Sequence, residues 1–312
     1  MKYPYVTPLF LRLSAVSALL LGACTNEVPD TVQNGAISFD IPQTRAVIES
    51  NNDMTAFNVW GWYDANTTPF AIFDNTKVEK SKNGWNYTDY ARYWSPGKTY
   101  DFYGIHPSEI SGVEIDPKKG TITVTNFDCS ATGADAVDLM TASRKGMDGS
   151  NPEMVTLTFN HELAKVNFTV KSEKTVATVS SFKVYGVNYK GTLIKGQTNT
   201  TWNQVAACVE NDNLYKLENF TFNTTNGFEK DMLGDVLLIP DTDLTDAKLY
   251  IAYRYPEETT DRTSTINLKT TAITQWEAGK SYHYTLTIKG GKLTITVNVA
   301  DWDEEDTSVS WG

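Results

Sequence analysis

Apolar and polar residues alternate in short runs along most of this chain, the two-residue period of strands with one buried face. Gly35 opens the first run, in which Ile37, Phe39 and Ile41 fall on one side before Pro42 ends it. Residues 57–63, 84–87, 92–94, 100–105 and 120–127 continue the pattern, with 84–87 and 92–94 expected as two arms of a hairpin region. Between residues 94 and 100, Ser95-Pro96-Gly97-Lys98 is a turn with a cause: proline presets φ and glycine accepts positive φ. Residues 128–153 are rich in Gly, Asp, Ser and Ala and read as loop, with a helical turn allowed across 134–143. A second series follows at 155–159, 163–170, 181–187, 214–222, 236–239, 248–255, 263–268, 281–288 and 293–299. Threonine, β-branched and aromatic residues dominate, and no long segment keeps a 3.6-residue period. The expectation is an all-β chain of two tandem β-sandwich domains, residues 46–160 and 161–312.

The N-terminus follows another logic. Lys2 and Arg12 flank or precede an apolar run at 13–21, the length of a signal-peptide core and too short to span a bilayer. Leu21-Gly22-Ala23-Cys24 closes it in the arrangement of a bacterial lipoprotein signal, with the Cys24 thiol as the lipidated atom. Residues 1–23 are then a signal peptide, and 24–45 a polar tether with a first strand. Attachment to the outer membrane would run through lipid on Cys24, since several acyl chains anchor stably where one does not.

Charge and composition narrow the partners. With 38 acidic against 27 basic residues the formal net charge is −11, which argues against nucleic acid, whose phosphates need clustered Lys and Arg. Cys129 and Cys208 lie far apart and are expected as free, buried thiols. His161-Glu162-Leu163-Ala164-Lys165 starts like a zinc-protease helix but lacks the second histidine, so no metal is expected there. No phosphate loop appears, no spacing singles out a carboxylate pair, and no catalytic residue or cofactor is assigned. The acidic residues around Trp302 lack the turn glycine of a calcium loop and read as a solvated segment. Trp60, Trp62, Trp85 and Trp94 suit a sandwich core; they are also the candidate rings for stacking on sugars in a surface glycan-binding lipoprotein.

The two ends of the chain carry the sharper expectation. Arg45-Ala46 directly follows the strand of Ile37, Phe39 and Ile41 in a polar, cuttable setting. In the last strand, Leu293, Ile295, Val297 and Val299 share one face. Burying three or four such side chains stabilises by roughly 5–12 kcal/mol, comparable with the whole stability of a domain, about 5–15 kcal/mol. A domain cut at Arg45 would need a replacement strand, which a neighbour's could supply. The same residues also fit an ordinary first strand that is never cut.

Taken together the chain resembles the fimbrillin family of Bacteroides-type bacteria, the type V pilus subunits and their Mfa-like relatives. The resemblance rests on the lipobox at Cys24, Thr44-Arg45-Ala46, the Trp94-Ser95-Pro96-Gly97 turn into Tyr100-Asp101-Phe102-Tyr103, residues 157–166, and Val297-Asn298-Val299-Ala300-Asp301-Trp302. It implies two transthyretin-like (Ig-like) sandwiches, export to the outer membrane and fimbrium as a lipoprotein, and cleavage after Arg45 by an arginine-specific protease. It further implies release of the first strand, strand addition between fimbrial subunits, and contact with a host or bacterial surface ligand.

Overall fold

The computed structural model describes residues 35–42, 54–172, 177–224 and 228–302. The lipobox at Cys24 and the Arg45-Ala46 bond lie outside them. The strands run β1 Phe39–Asp40, β2 Ala56–Tyr63, β3 Phe70–Ser81, β4 Gly84–Asn86, β5 Thr99–His106, β6 Val113–Asp116 and β7 Thr121–Asp128. They continue as β8 Met140–Asp148, β9 Val155–Thr156, β10 Asn160–His161, β11 Ala164–Ser172, β12 Thr178–Tyr185, β13 Val187–Lys195 and β14 Thr200–Cys208. The last are β15 Tyr215–Thr221, β16 Glu229–Asp231, β17 Val236–Leu238, β18 Lys248–Arg254, β19 Arg262–Asn267, β20 Lys280–Lys289 and β21 Lys292–Asp301. The architecture is all-β; a 3-10 turn lies at Gly133–Asp135, and among the described residues no helix is long and apolar enough to cross a membrane.

An eight-stranded sheet runs in the order β10-β8-β5-β2-β3-β4-β1-β9. Its end strands, β9 and β10, are separated in sequence by residues 157–159 alone, so the sheet curls back on itself around Phe57, Phe73, Tyr100 and Phe102. Curling at this radius needs small residues where aromatic rings cross the pleat. A Cβ on Gly61 would lie 2.8 Å from the Phe102 ring, and one on Gly104 would lie 2.8 Å from the Phe159 ring.

Strands β2 and β5 are buried on both faces, which is why they read as nearly continuous apolar runs. Phe57 and Val59 with Tyr100 and Phe102 line the interior of the curl. Trp60 with Tyr103 and Ile105 point the other way, into a second core beneath the sheet β14-β13-β7-β6. That sheet joins strands from both sides of residue 160: β7 pairs antiparallel with β13, Leu193 opposite Val124. The remaining strands form two sheets, β16-β11-β20-β21 (with β17 also on β11) and β15-β12-β18-β19. They enclose a third core, in which Phe168 meets Phe182 at 5.8 Å and stacks on Tyr284 at 5.6 Å.

Three local expectations are corrected. Residues 128–153 are not simply loop: they hold the 3-10 turn and then the nine-residue β8. Residues 84–87 and 92–94 do not pair with each other; β4 bonds to β3 and β1, while Tyr93 bridges Ala36. Strands β3, β6, β14 and β16, and most of β13, fall where the residue pattern marks none.

Candidate functional site

The site is built on residues 35–42. The alternation of Ile37 and Phe39 makes a strand with one apolar face, and both side chains are buried, at 2% exposure each; Ile41 is half-buried against the same core. This short segment is interior to its sheet. Phe39 stands opposite Trp85 of β4 in antiparallel register and opposite Val155 of β9 in parallel register. Backbone bonds close both edges: Ile37 N–H donates to Arg92 O at 2.8 Å and Trp94 N–H to Gly35 O at 3.0 Å. On the other side Val155 N–H donates to Ser38 O at 2.8 Å and Leu157 N–H to Asp40 O at 2.9 Å.

The Phe39 ring lies edge-on to four aromatic rings, Phe73 at 5.2 Å, Phe102 at 5.9 Å, Tyr87 at 6.1 Å and Phe57 at 6.2 Å. Edge-to-face pairs add about 0.5–1.5 kcal/mol each beyond area burial. Tyr87 Oη donates to Ile37 O at 2.9 Å, and burial holds the Tyr87 phenol above its ordinary pKa, so it stays a donor. Arg92, 8% exposed, backs the segment: its guanidinium grips both oxygens of Asp89 at 2.6 Å and lies 4.3 Å from the Phe73 ring centre. Pairing with Arg92 holds the Asp89 carboxyl below its ordinary range.

The other candidate residues are placed as follows. Strand β21 bonds to β20 along its whole length, from Lys280–Asp301 to Lys289–Lys292, and its other edge is open in the order of its sheet. Leu293, Ile295 and Val297 pack half-buried on the third core, and Val299 is 40% exposed. Thus the early strand sits inside a sheet and the late one on an edge. None of the four tryptophans is exposed. Trp60 and Trp94 are buried; Trp62 packs on the second core, edge-on to Tyr103 at 6.0 Å, and Trp85 on the first beside Phe57. For Trp60 and Trp62 burial of β2 on both faces is the reason, because the face they share is covered by the β7–β13 sheet.

Cys129 and Cys208 are free and buried. His161 is held by Asp138 (Nδ1 to Oδ2, 2.7 Å) and stacks on Trp302 at 4.1 Å. Among the described residues no group of His, Cys, Asp and Glu is arranged to hold a metal ion. Residue patterns mark both neighbours of β1 as strands, at 84–87 and 155–159, but carry no sign that either pairs with it.

The chain matches the fimbrillin-like family over residues 44–302. It belongs to that family. Among solved structures, this fimbrillin-like chain is similar to a fimbrial protein of Bacteroides vulgatus, at 20% identity and a TM-score of 0.59 over 86% of this chain and 99% of the other. It is also similar to a candidate cell-adhesion protein of Bacteroides uniformis, at 16% identity and a TM-score of 0.52 over 87% of this chain and 100% of the other. A third, from Bacteroides ovatus, has 17% identity and a TM-score of 0.52 over 86% and 96%. At these identities the likeness establishes the shared fold. No curated protein sequence matches the chain.

Proposed function

We propose that this fimbrillin-like chain is a non-catalytic fimbrial subunit or pilus-associated adhesin, exported as a lipoprotein through Cys24 and assembled by protease-triggered strand exchange. One observation carries the reading. The segment just before Arg45 fills an interior position between β4 and β9, so its departure uncovers two strand edges and the Phe39 site together. An ordinary edge strand leaves only one edge. Cleavage between Arg45 and Ala46 would free that segment from the following chain, and a neighbouring subunit's strand would take its place. The face of Leu293, Ile295, Val297 and Val299 has the apolar alternation such a donor needs, and it would first have to leave β20. The finished subunit would sit in the fimbrium, with uncut copies tethered at the outer membrane by lipid on Cys24.

Limited trypsin digestion of the recombinant chain tests this. The expected result is one early cut after Arg45, followed by polymer ladders that lengthen with protein concentration. Resistance at Arg45, or a cut product that stays monomeric at all concentrations, overturns the assembly reading.

A further inference from the structure

A cleft of about 370 Å³ lies where β5, β8 and β10 meet the start of β7 and the end of β13. It is at the small end of ligand sites, about 300–1,000 Å³, and so is sized for one sugar-like ring. Its walls are polar, and its charges are not balanced. Lys195 is paired with Glu162, which also accepts a hydrogen bond from Thr141 Oγ1 at 2.5 Å. Lys145 has no such partner: among the described residues its ammonium makes only a long contact, 3.4 Å, to the carbonyl oxygen of Gly120. Partial burial lowers its pKa, with Asp101 opposing from a distance.

Gly120 shows where the donors aim. Its φ is +63°, and a Cβ there would collide with Lys145 Nζ and lie 3.1 Å from Gln197 Nε2 and 3.2 Å from Tyr103 Oη. An ammonium, an amide and a phenol thus surround one point. Tyr103 is 1% exposed, and its hydroxyl makes no hydrogen bond within the protein. Lys145 lies 5.2 Å from the centre of that ring. Gln197 Nε2 gives one hydrogen to Lys119 O at 3.1 Å and keeps a second; these donors, opposed only by that bond and the long Gly120 contact, call for an oxyanion, and one unpaired positive charge suits a monoanion. Ser143, Thr158 and Asn160 along the same wall offer hydroxyl and amide partners for a hydroxylated ring.

We propose that this cleft binds the carboxylate of an acidic sugar residue, with Lys145 as its counter-ion and Tyr103 and Gln197 as further donors. The idea is independent of strand exchange, since it uses neither β1 nor Arg45.

The test is titration of the full chain, by calorimetry and by the NMR shifts of the cleft, with glucuronate, galacturonate and N-acetylneuraminate; glucose and inorganic phosphate are the controls. Saturable binding of at least one acidic sugar is expected, with no response to glucose. Lys145→Gln is expected to weaken it about tenfold or more. Tyr103→Phe removes one oxygen from a buried ring and is expected to weaken it several-fold with the melting temperature kept. Four results overturn the proposal: no saturable binding of any acidic sugar, equal binding of glucose, equal binding of phosphate, or unchanged affinity in Lys145→Gln. Strand exchange in the trypsin experiment stands or falls separately.

Discussion

Phe39 and Val155 face each other across a parallel pair of very short strands, and this pairing puts the beginning of the chain inside the eight-stranded sheet. The consequence for stability is concentrated in one ring. Phe39→Ala removes four edge-on aromatic contacts from a site closed on both sides by backbone bonds, where collapse into the gap is restricted. The expected cost is about 3–5 kcal/mol, the upper range for a buried Phe. Ser38→Ala, whose carbonyl rather than side chain bonds to β9, is expected within about 0.5 kcal/mol of wild type. Urea denaturation of both variants checks the contrast.

Much of this fold is legible where one period holds without interruption. Residues 121–125 and 293–299 keep strict alternation and are strands. Strand β3 hides because its buried residues, Phe73 and Val78, are five apart. A register shift against β2 and a positive φ at Asn75 break the period between them. Strand β8 hides because small residues and Gly146, at φ +71°, give it the composition of a loop. The site is half legible. Ile37 and Phe39 announce a buried face, but nothing local says that β4 and β9 flank it, because that pairing is long-range and partly parallel. The cleft is illegible for the same reason, since Tyr103, Lys145 and Gln197 come from three separate segments.

The Glu162–Lys195 pair ties the end of β10 to β13, and its two halves are unequally buried, at 2% for Glu162 and 27% for Lys195. An ammonium on a flexible stem can reach water when its partner is lost; a fully enclosed carboxylate cannot. Lys195→Ala is therefore expected to cost more, about 3–5 kcal/mol. Glu162→Gln keeps the shape and the bond from Thr141, and is expected to cost about 1–3 kcal/mol. Equal losses in the two variants, read from denaturation midpoints at constant slope, would contradict the burial argument.

The two free thiols report opening of two different regions. Burial pushes the Cys129 thiol up to about 12, and its Sγ donates to Tyr189 O at 3.1 Å. Burial also raises Cys208. The reactive species is the thiolate, so both are expected to be inert to a soluble disulfide reagent in the folded chain and to react at the rate of unfolding. A Cys24→Ser background restricts the signal to these two. Fast labelling of either thiol without denaturant would show that its segment opens independently of the rest.

His106 gives the fold a pH dependence with a defined sign. Its Nδ1 lies 2.9 Å from Ala56 O, and burial lowers its pKa; the nearby His161 lowers it further, while Asp138 and the Ala56 bond oppose. The unfolded imidazole titrates near 6.5, so between that value and the depressed native one the unfolded chain binds more protons. The contribution of neutral His106 is therefore full above about pH 6.5 and lost as pH falls through the native value. Melting temperatures measured from about pH 7 down to about pH 5 are expected to fall more steeply for wild type than for His106→Gln. Parallel slopes would mean that His106 becomes protonated without cost, and that the end of β5 is open to water rather than sealed against β2.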